Sequence, residues 1–369
     1  MERSPWISAI APNKLGGSSS GDDDDSTDAP REIRCEWPNM PLDPDTFGLT
    51  ICCMARDFTL LAQGRGSWIN RYSRVVTTIS LLAMCIVMQV LLLRYVKAFV
   101  SARAVHDVRN VYDSFQEAAY HGNTWILSEW PTVERRGLDG PDGPHFDAGI
   151  FPNLDHDLQE AICNIPLSQP VFFFTILYVW TLTCVAEIRK CKDLFESLIL
   201  QTERCDDMSR CLVDEDDTDG MESFVIARLT LAMKVALTIL VLVPRLLITC
   251  YLLWVGCRWL LATTDFSDLI LNAVALEFIL NLKDMLYLAI VPRRSMIDLE
   301  NTAVRPTQPH EPESLSVLIG TMSWAFMAAF WVLMYIGFPG FHGMQTVLRD
   351  FQWDVHHVCT EWIATRFSV

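Results

Sequence analysis

Two uninterrupted apolar runs constrain this chain more than anything else in it. Val75–Leu93 (VVTTISLLAMCIVMQVLLL) carries no charge over 19 residues, and Leu315–Phe338 carries none over 24. Wound as helices, both are long enough to cross a hydrocarbon core of about 30 Å. Pro170–Ala186 (PVFFFTILYVWTLTCVA) is a third, shorter run, and residues 229–257 and 266–291 are apolar with a few charges inside them. The pattern predicts an all-α membrane protein, a helical bundle of about five transmembrane helices with a hairpin at 229–291. The spans fall at roughly 75–97, 170–188, 229–257, 266–291 and 315–338.

The intervals between the runs are acidic, so a chain that is 51% hydrophobic still has a net charge of −16. It divides into a disordered acidic N-terminal arm (1–70), span 1 (71–100), an acidic, partly helical extramembrane region (101–169) and span 2 (170–188). An acidic linker (189–226), a helical hairpin of spans 3 and 4 (227–292), a loop (293–314), span 5 (315–338) and an amphipathic tail (339–369) follow. The arm owes its assignment to "GGSSSGDDDDSTD" at Gly16–Asp28, a composition that cannot bury enough apolar surface to fold alone. Basic residues flank the spans unevenly. Arg56, Arg65, Arg71, Arg74, Arg189, Lys190, Arg293 and Arg294 fall on the N-terminal side, which the positive-inside rule places in the cytoplasm. Arg94, Lys97, Arg103, Arg109, Arg258 and Arg349 fall on the other, and the first two directly follow span 1 against that rule. With five spans the tail lies opposite the N-terminus; a re-entrant fourth run would return it to the same side.

The 12 cysteines are scattered, form no CxxC pair and lie partly inside spans, which argues against a disulfide framework and against structural zinc. Cys52 and Cys53, shortly before span 1, read as ordinary thiols rather than acylation sites. "DEDDTDGMESFVI" at 214–226 places Gly220 at the sixth position of a calcium loop, but Ile226 stands where the bidentate Glu belongs. A solvated acidic linker is expected there. His145, Asp147, Asp155, His156 and Asp157 match no metal-ligand spacing. There is no phosphate-cradling glycine loop, no nucleophile elbow and no zinc-protease helix. An acidic chain without basic patches repels nucleic acid. No catalytic residue, metal or cofactor is expected, and the protein reads as a non-enzyme whose partners are the lipid bilayer and other membrane subunits or further copies of itself.

The charges within the fourth run need a reason. Reflecting the hairpin about a turn near residue 263 sets Arg258 level with Asp268, and Arg245 level with Asn281, close to Glu277 and Asp284. At about 100° per residue, Glu277, Asn281 and Asp284 share a sector of roughly 60°. A lone charge near mid-bilayer costs at least about 2.5–3.5 kcal/mol. A polar seam of Arg245, Glu277, Asn281 and Asp284, with an outer Arg258–Asp268 pair, is therefore expected, and Lys283 points off it toward another helix or a partner subunit. The seam is either a structural ion pair that sets hairpin register or a site for ions or protons; both readings stay open.

The segment "DLILNAVALEFILNLKDMLY" followed by "VPRR" resembles a stretch in uncharacterised multi-pass membrane proteins of unicellular algae and other protists. The resemblance implies a membrane module and no particular activity. The function expected is an ion- or proton-conducting or transporting membrane protein, or a subunit of one. The alternative is a non-catalytic scaffold or accessory subunit whose acidic loops bind partners.

Overall fold

The structure is a computed structural model that describes residues 39–119, 151–216, 222–305, 315–338, 341–348, 351, 353 and 355–367. Helix α1 is Thr46–Ala62, and α2 is Trp68–Tyr95. A π-helical turn at Val96–Ser101 joins α2 to α3, Ala102–Ala119. Helices α4 (His156–Cys163) and α5 (Pro170–Phe195) follow, α5 running on through a second π-helical segment to Gln201. Helix α6 (Leu231–Leu237) leads through a third, Thr238–Leu242, into α7 (Val243–Leu261). Then come α8 (Phe266–Leu280), α9 (Leu282–Ile290), α10 (Arg293–Glu300), α11 (Leu315–Ile336) and α12 (Val355–Phe367).

Three of these helical stretches are long and apolar enough to cross a membrane: Trp68–Glu117, Pro170–Gln201 and Leu231–Leu261, of 50, 32 and 31 residues. Their surfaces fit that role. On α2 the buried residues Val75, Thr78, Leu82, Cys85, Gln89 and Leu93 recur at three-to-four spacing. The opposite face exposes Val76, Val87, Val90 and Leu91. Val179, Ile239, Leu247, Ile270, Phe278 and Phe326 are likewise exposed on the other apolar helices. An apolar surface of this extent is unfavourable in water and favourable in lipid. The fourth expected span is broken at Asn281 into α8 and α9, and Met322–Ile336 of the fifth is a shorter apolar helix.

The first correction concerns the arm. Residues 1–38 lie outside the described residues, but Thr46–Ala62 is a helix whose residues 46–55 are all buried. Asp45 caps it, its side chain accepting a 2.7 Å hydrogen bond from the Gly48 amide. Only glycine fits at Gly48, because a Cβ there would lie 2.0 Å from the Asp43 carbonyl oxygen. Averaged with the acidic stretch before it, "TFGLTICCMARDFTLLA" loses its apolar signal; folded, 13 of its 17 residues are buried. Cys52 and Cys53 are buried with it, the Cys52 thiol facing the Thr302 hydroxyl at 3.4 Å.

Antiparallel to α2, α1 is anchored at its far end by ions. Asp57, fully buried, meets Arg71 at 3.2 Å and Arg74 at 3.7 Å; Asp298 of α10 meets Arg56 and Arg74, each at 2.7 Å. Beside them the all-α expectation is corrected by a small mixed sheet. Met40–Pro41 pairs antiparallel with Thr302–Val304, which runs parallel to Glu222–Ile226, itself antiparallel to Leu212–Asp216. The expected linker thus becomes two strands, while Asp217 and Gly220 of the calcium-like run lie outside the described residues.

At the other end α3, α4 and α12 pack together, and a disulfide joins Cys163 of α4 to Cys359 of α12, with Cα atoms 5.2 Å apart. This corrects the reading of the cysteines. A separation of 196 residues leaves no local spacing to recognise. His145 and Asp147 lie outside the described residues; Asp155 and His156 begin α4.

The Asp298 anchor makes a pH-dependent contribution. Burial alone would raise its pKa, but the hydrogen bonds and charges of Arg56 and Arg74 outweigh burial and hold it below the usual carboxylate value. A carboxylate with a lowered folded pKa adds stability that is complete above the unfolded value of about 3.9 and is lost as pH falls through the folded one. Asp298→Asn should lower stability at pH 7 by about 1–3 kcal/mol. Thermal unfolding in detergent should show its gap from wild type narrowing below about pH 4.

Candidate functional site

Four ionisable side chains from four separate segments meet in the middle of the bundle. Arg245 Nη2 lies 3.1 Å from Glu187 Oε2, 3.0 Å from Asp43 Oδ2 and 3.5 Å from Asp45 Oδ2. Lys283 Nζ lies 3.3 Å from the same Glu187 oxygen and 3.6 Å from Asp45 Oδ2. The side chains of Arg245, Asp45, Lys283 and Glu187 are 2%, 2%, 5% and 8% exposed. Two cations thus face two buried carboxylates, and the core of the cluster is neutral. Half-buried Asp43 and Asp284 add contacts at its edge, and Lys190 reaches Glu187 Oε1 at 2.9 Å.

The helices that carry these groups explain their position. Three of the four polar residues lie between segments that belong to two different hydrophobic cores. Glu187 separates Cys184 from Cys191, Arg245 separates Ile248 from Leu242, and Lys283 separates Leu280 from Tyr287. The first residue of each pair belongs to the core that includes α3, α4 and α12, the second to the core around α1. The charges therefore occupy the seam between two apolar halves, where helix ends and irregular turns converge. The π-helical segment Thr238–Leu242 ends shortly before Arg245. The break at Asn281 immediately precedes Lys283. The N-terminus of α1, whose dipole favours carboxylates, brings in Asp43 and Asp45.

A small cavity of about 10 Å³ lies against the cluster, lined by Gln89, Glu187, Arg245, Thr249 and Lys283 among apolar neighbours. That is room for about one water molecule. Gln89 donates to the Ile279 carbonyl at 3.1 Å, just before the α8–α9 break at Asn281. Gln89 Oε1 and Arg245 Nε and Nη1 are buried without a hydrogen-bond partner and stand beside this space. The Phe47 ring covers the guanidinium at 5.6 Å.

The hairpin of α7 and α8 forms as expected, with Asp265 capping α8 and Asp268 in its first turn. Its charges do not pair as expected. Glu277 is exposed and makes no ion pair among the described residues, because α8 buries Leu276, Ile279 and Leu280 instead. Asn281 is the junction between α8 and α9 rather than a partner of Arg245. Asp284 touches Lys283 at 3.4 Å and is half-buried. Arg258 and Asp268 form no pair; Arg258 lies over the Trp254 ring at 5.9 Å. The expected pairing requires residues 266–291 to be one continuous helix, and they are two. The break at Asn281 turns α9 so that Lys283, not Asp284, faces inward.

Of the four central groups, the expected seam contains only Arg245. Glu187 falls at the C-terminal end of the expected span 2 (170–188), and Asp45 in the arm expected to be disordered. Lys283, expected to point off the seam toward another helix or a partner subunit, meets Glu187 of α5 at 3.3 Å. The signal that could have found Glu187 is its place within α5, which continues to Gln201 and so sets residue 187 well inside the helix.

No family model, no curated protein and no solved structure matches the chain.

Breaking the cluster from one side should be costly. Arg245→Leu leaves Glu187 and Asp45 to share Lys283 alone, an uncompensated buried charge, and should destabilise the protein by about 3–5 kcal/mol. Adding Glu187→Gln should recover a large part of that loss, whereas adding Glu277→Gln should recover none. Urea or thermal melts of the single and double variants in one detergent check both statements.

Proposed function

We propose that this is a multi-pass membrane protein that moves protons or small cations, or a subunit of one that does, with Asp45, Glu187, Arg245 and Lys283 as its coupling centre. The observation that carries this reading is the burial of four ionisable groups where three helical irregularities converge. Ionisable groups inside a membrane are costly and mark transport pathways and proton relays. Helix breaks and helix ends at mid-depth are the means by which transporters place such sites. A neutral network with room for about one water corresponds to a closed arrangement. Conduction would need one carboxylate to exchange its cationic partner for a proton or an ion, with α1 or α9 shifting to admit it.

The arrangement proposed has five crossings, made by α2, α5, α6–α7, α8–α9 and α11. Helix α1 is re-entrant and sends its Asp45 end to mid-depth beside α2. Four crossings then separate Cys163 from Cys359, an even number, which puts both on one side and is compatible with their disulfide. That side would be the oxidising one. Cysteines introduced at Ser209 and Asp157 should react with an impermeant maleimide from opposite sides of sealed vesicles. Reaction from the same side would overturn the five-crossing arrangement.

Purified protein reconstituted into liposomes should dissipate an imposed proton or alkali-cation gradient. Glu187→Gln should lower the flux at least about tenfold, the loss of one essential charge being worth about 1.4 kcal/mol or more in the barrier. The exposed neighbour change Arg189→Gln should leave it unchanged. An absence of flux in wild type under every gradient would favour the accessory-scaffold reading, in which the cluster only holds α1 in place.

A further inference from the structure

The charges that failed to pair within the hairpin point to a second site. A cavity of about 600 Å³ opens between α2, its π-helical extension and the last turns of α7, lined by Val90, Arg94, Lys97, Ala98, Tyr251 and Arg258 among others. Three of these side chains are cationic and none is acidic. Among the described residues none of the three makes an ion pair. Arg258 Nε is buried and has no hydrogen-bond partner, a donor left unsatisfied where it faces a cavity. Lys97 Nζ sits 5.2 Å over the Trp254 ring and 5.8 Å over that of Tyr251, and Arg258 shares Trp254 at 5.9 Å. Aromatic faces therefore hold the cations in place without neutralising them.

We infer that this cavity binds the phosphate headgroup of an anionic membrane phospholipid. Its depth supports that occupant. Arg94 and Lys97 directly follow the charge-free stretch Val75–Leu93, and Arg258 lies in the last turn of α7, so the cations mark the border between apolar and polar surface. Below them α2 exposes Val90 and Leu91, an apolar surface along which acyl chains can lie. The volume is within the range of roughly 300–1,000 Å³ typical of small-molecule sites. Small side chains at Ala98 and Ala102 leave the headgroup its space. In a chain of net charge −16, three unpaired cations at the end bearing α3, α4 and α12 run against the overall balance and against the positive-inside trend. An anionic headgroup supplies the missing counter-charge. The site stands whether or not the protein moves ions.

The test uses the full chain in a neutral detergent, with binding of phosphatidylglycerol followed by native mass spectrometry and by thermal stabilisation. Phosphatidylglycerol should bind and raise the Tm, and phosphatidylcholine should do neither. Lys97→Gln, at an exposed position that does not support the core, should weaken binding about fivefold, and the triple change Arg94→Gln, Lys97→Gln, Arg258→Gln about a hundredfold. Arg258→Lys, which keeps the charge, should bind more tightly than Arg258→Gln. Equal stabilisation by phosphatidylcholine, or unchanged phosphatidylglycerol binding by a Lys97→Gln or triple variant that melts like wild type without lipid, would overturn the site. Saturation by millimolar inorganic phosphate with no added gain from phosphatidylglycerol would overturn the lipid assignment, leaving a soluble-anion site.

Discussion

The contact on which the arrangement depends is the shared Glu187 carboxylate oxygen, which both Arg245 and Lys283 approach within 3.3 Å. Each of these charges would be prohibitive alone in an apolar interior. Together with Asp45 they form a neutral set, and the helices that carry them are obliged to stay in register. Helix α5 supplies the common acceptor, α7 and α9 the cations, and the tip of α1 the second buried carboxylate. Removing any one member leaves an uncompensated charge in a region with space for about one water molecule. The two hydrophobic cores on either side can pack well only once this seam is closed.

Helix α1 is the element that the seam most directly explains. It is a helix of 17 residues whose N-terminal end sits beside buried cations and whose C-terminal half is tied by Asp57 and Asp298 to three arginines. Between these two ionic anchors its apolar side chains fill the space among α2, α9 and α10. Gly48 permits the tight reversal at its start, where the Asp43 carbonyl closes over the helix. A second close approach, Gly256 of α7 against the Trp180 indole, seats α5 on α7 with no room for a Cβ, which would fall 2.5 Å from the indole nitrogen. The small sheet and the Cys163–Cys359 bond then fasten opposite ends of the bundle.

The basic cavity at the other end follows from the same rule of charge pairing, applied where pairing is incomplete. Arg258 has no acidic partner on α8 because Asp268 is turned outward in the first turn of that helix. Its neighbours Arg94 and Lys97 come from a different helix, so three cations gather at one rim without a counter-charge among the described residues. The protein therefore has a neutral charge cluster inside and a cationic one at its edge, and they suit different occupants.

The sequence by itself determined the helical, membrane-type character of the chain, because charge-free runs such as Val75–Leu93 admit little else. It also determined the α7–α8 hairpin, through the turn near residue 263, and the importance of Arg245, because a buried arginine demands a partner. The identity of that partner was decided only by tertiary structure. Periodicity reports which residues share a face of one unbroken helix, but a break at Asn281 changes the facing of every residue after it. Composition averaged over an arm hides a buried helix within it, and a disulfide between residues 163 and 359 leaves no trace in local spacing. Asp45, Glu187, Arg245 and Lys283 are far apart in the chain; the packing of four segments, each choosing the orientation that buries its apolar face, brought them together.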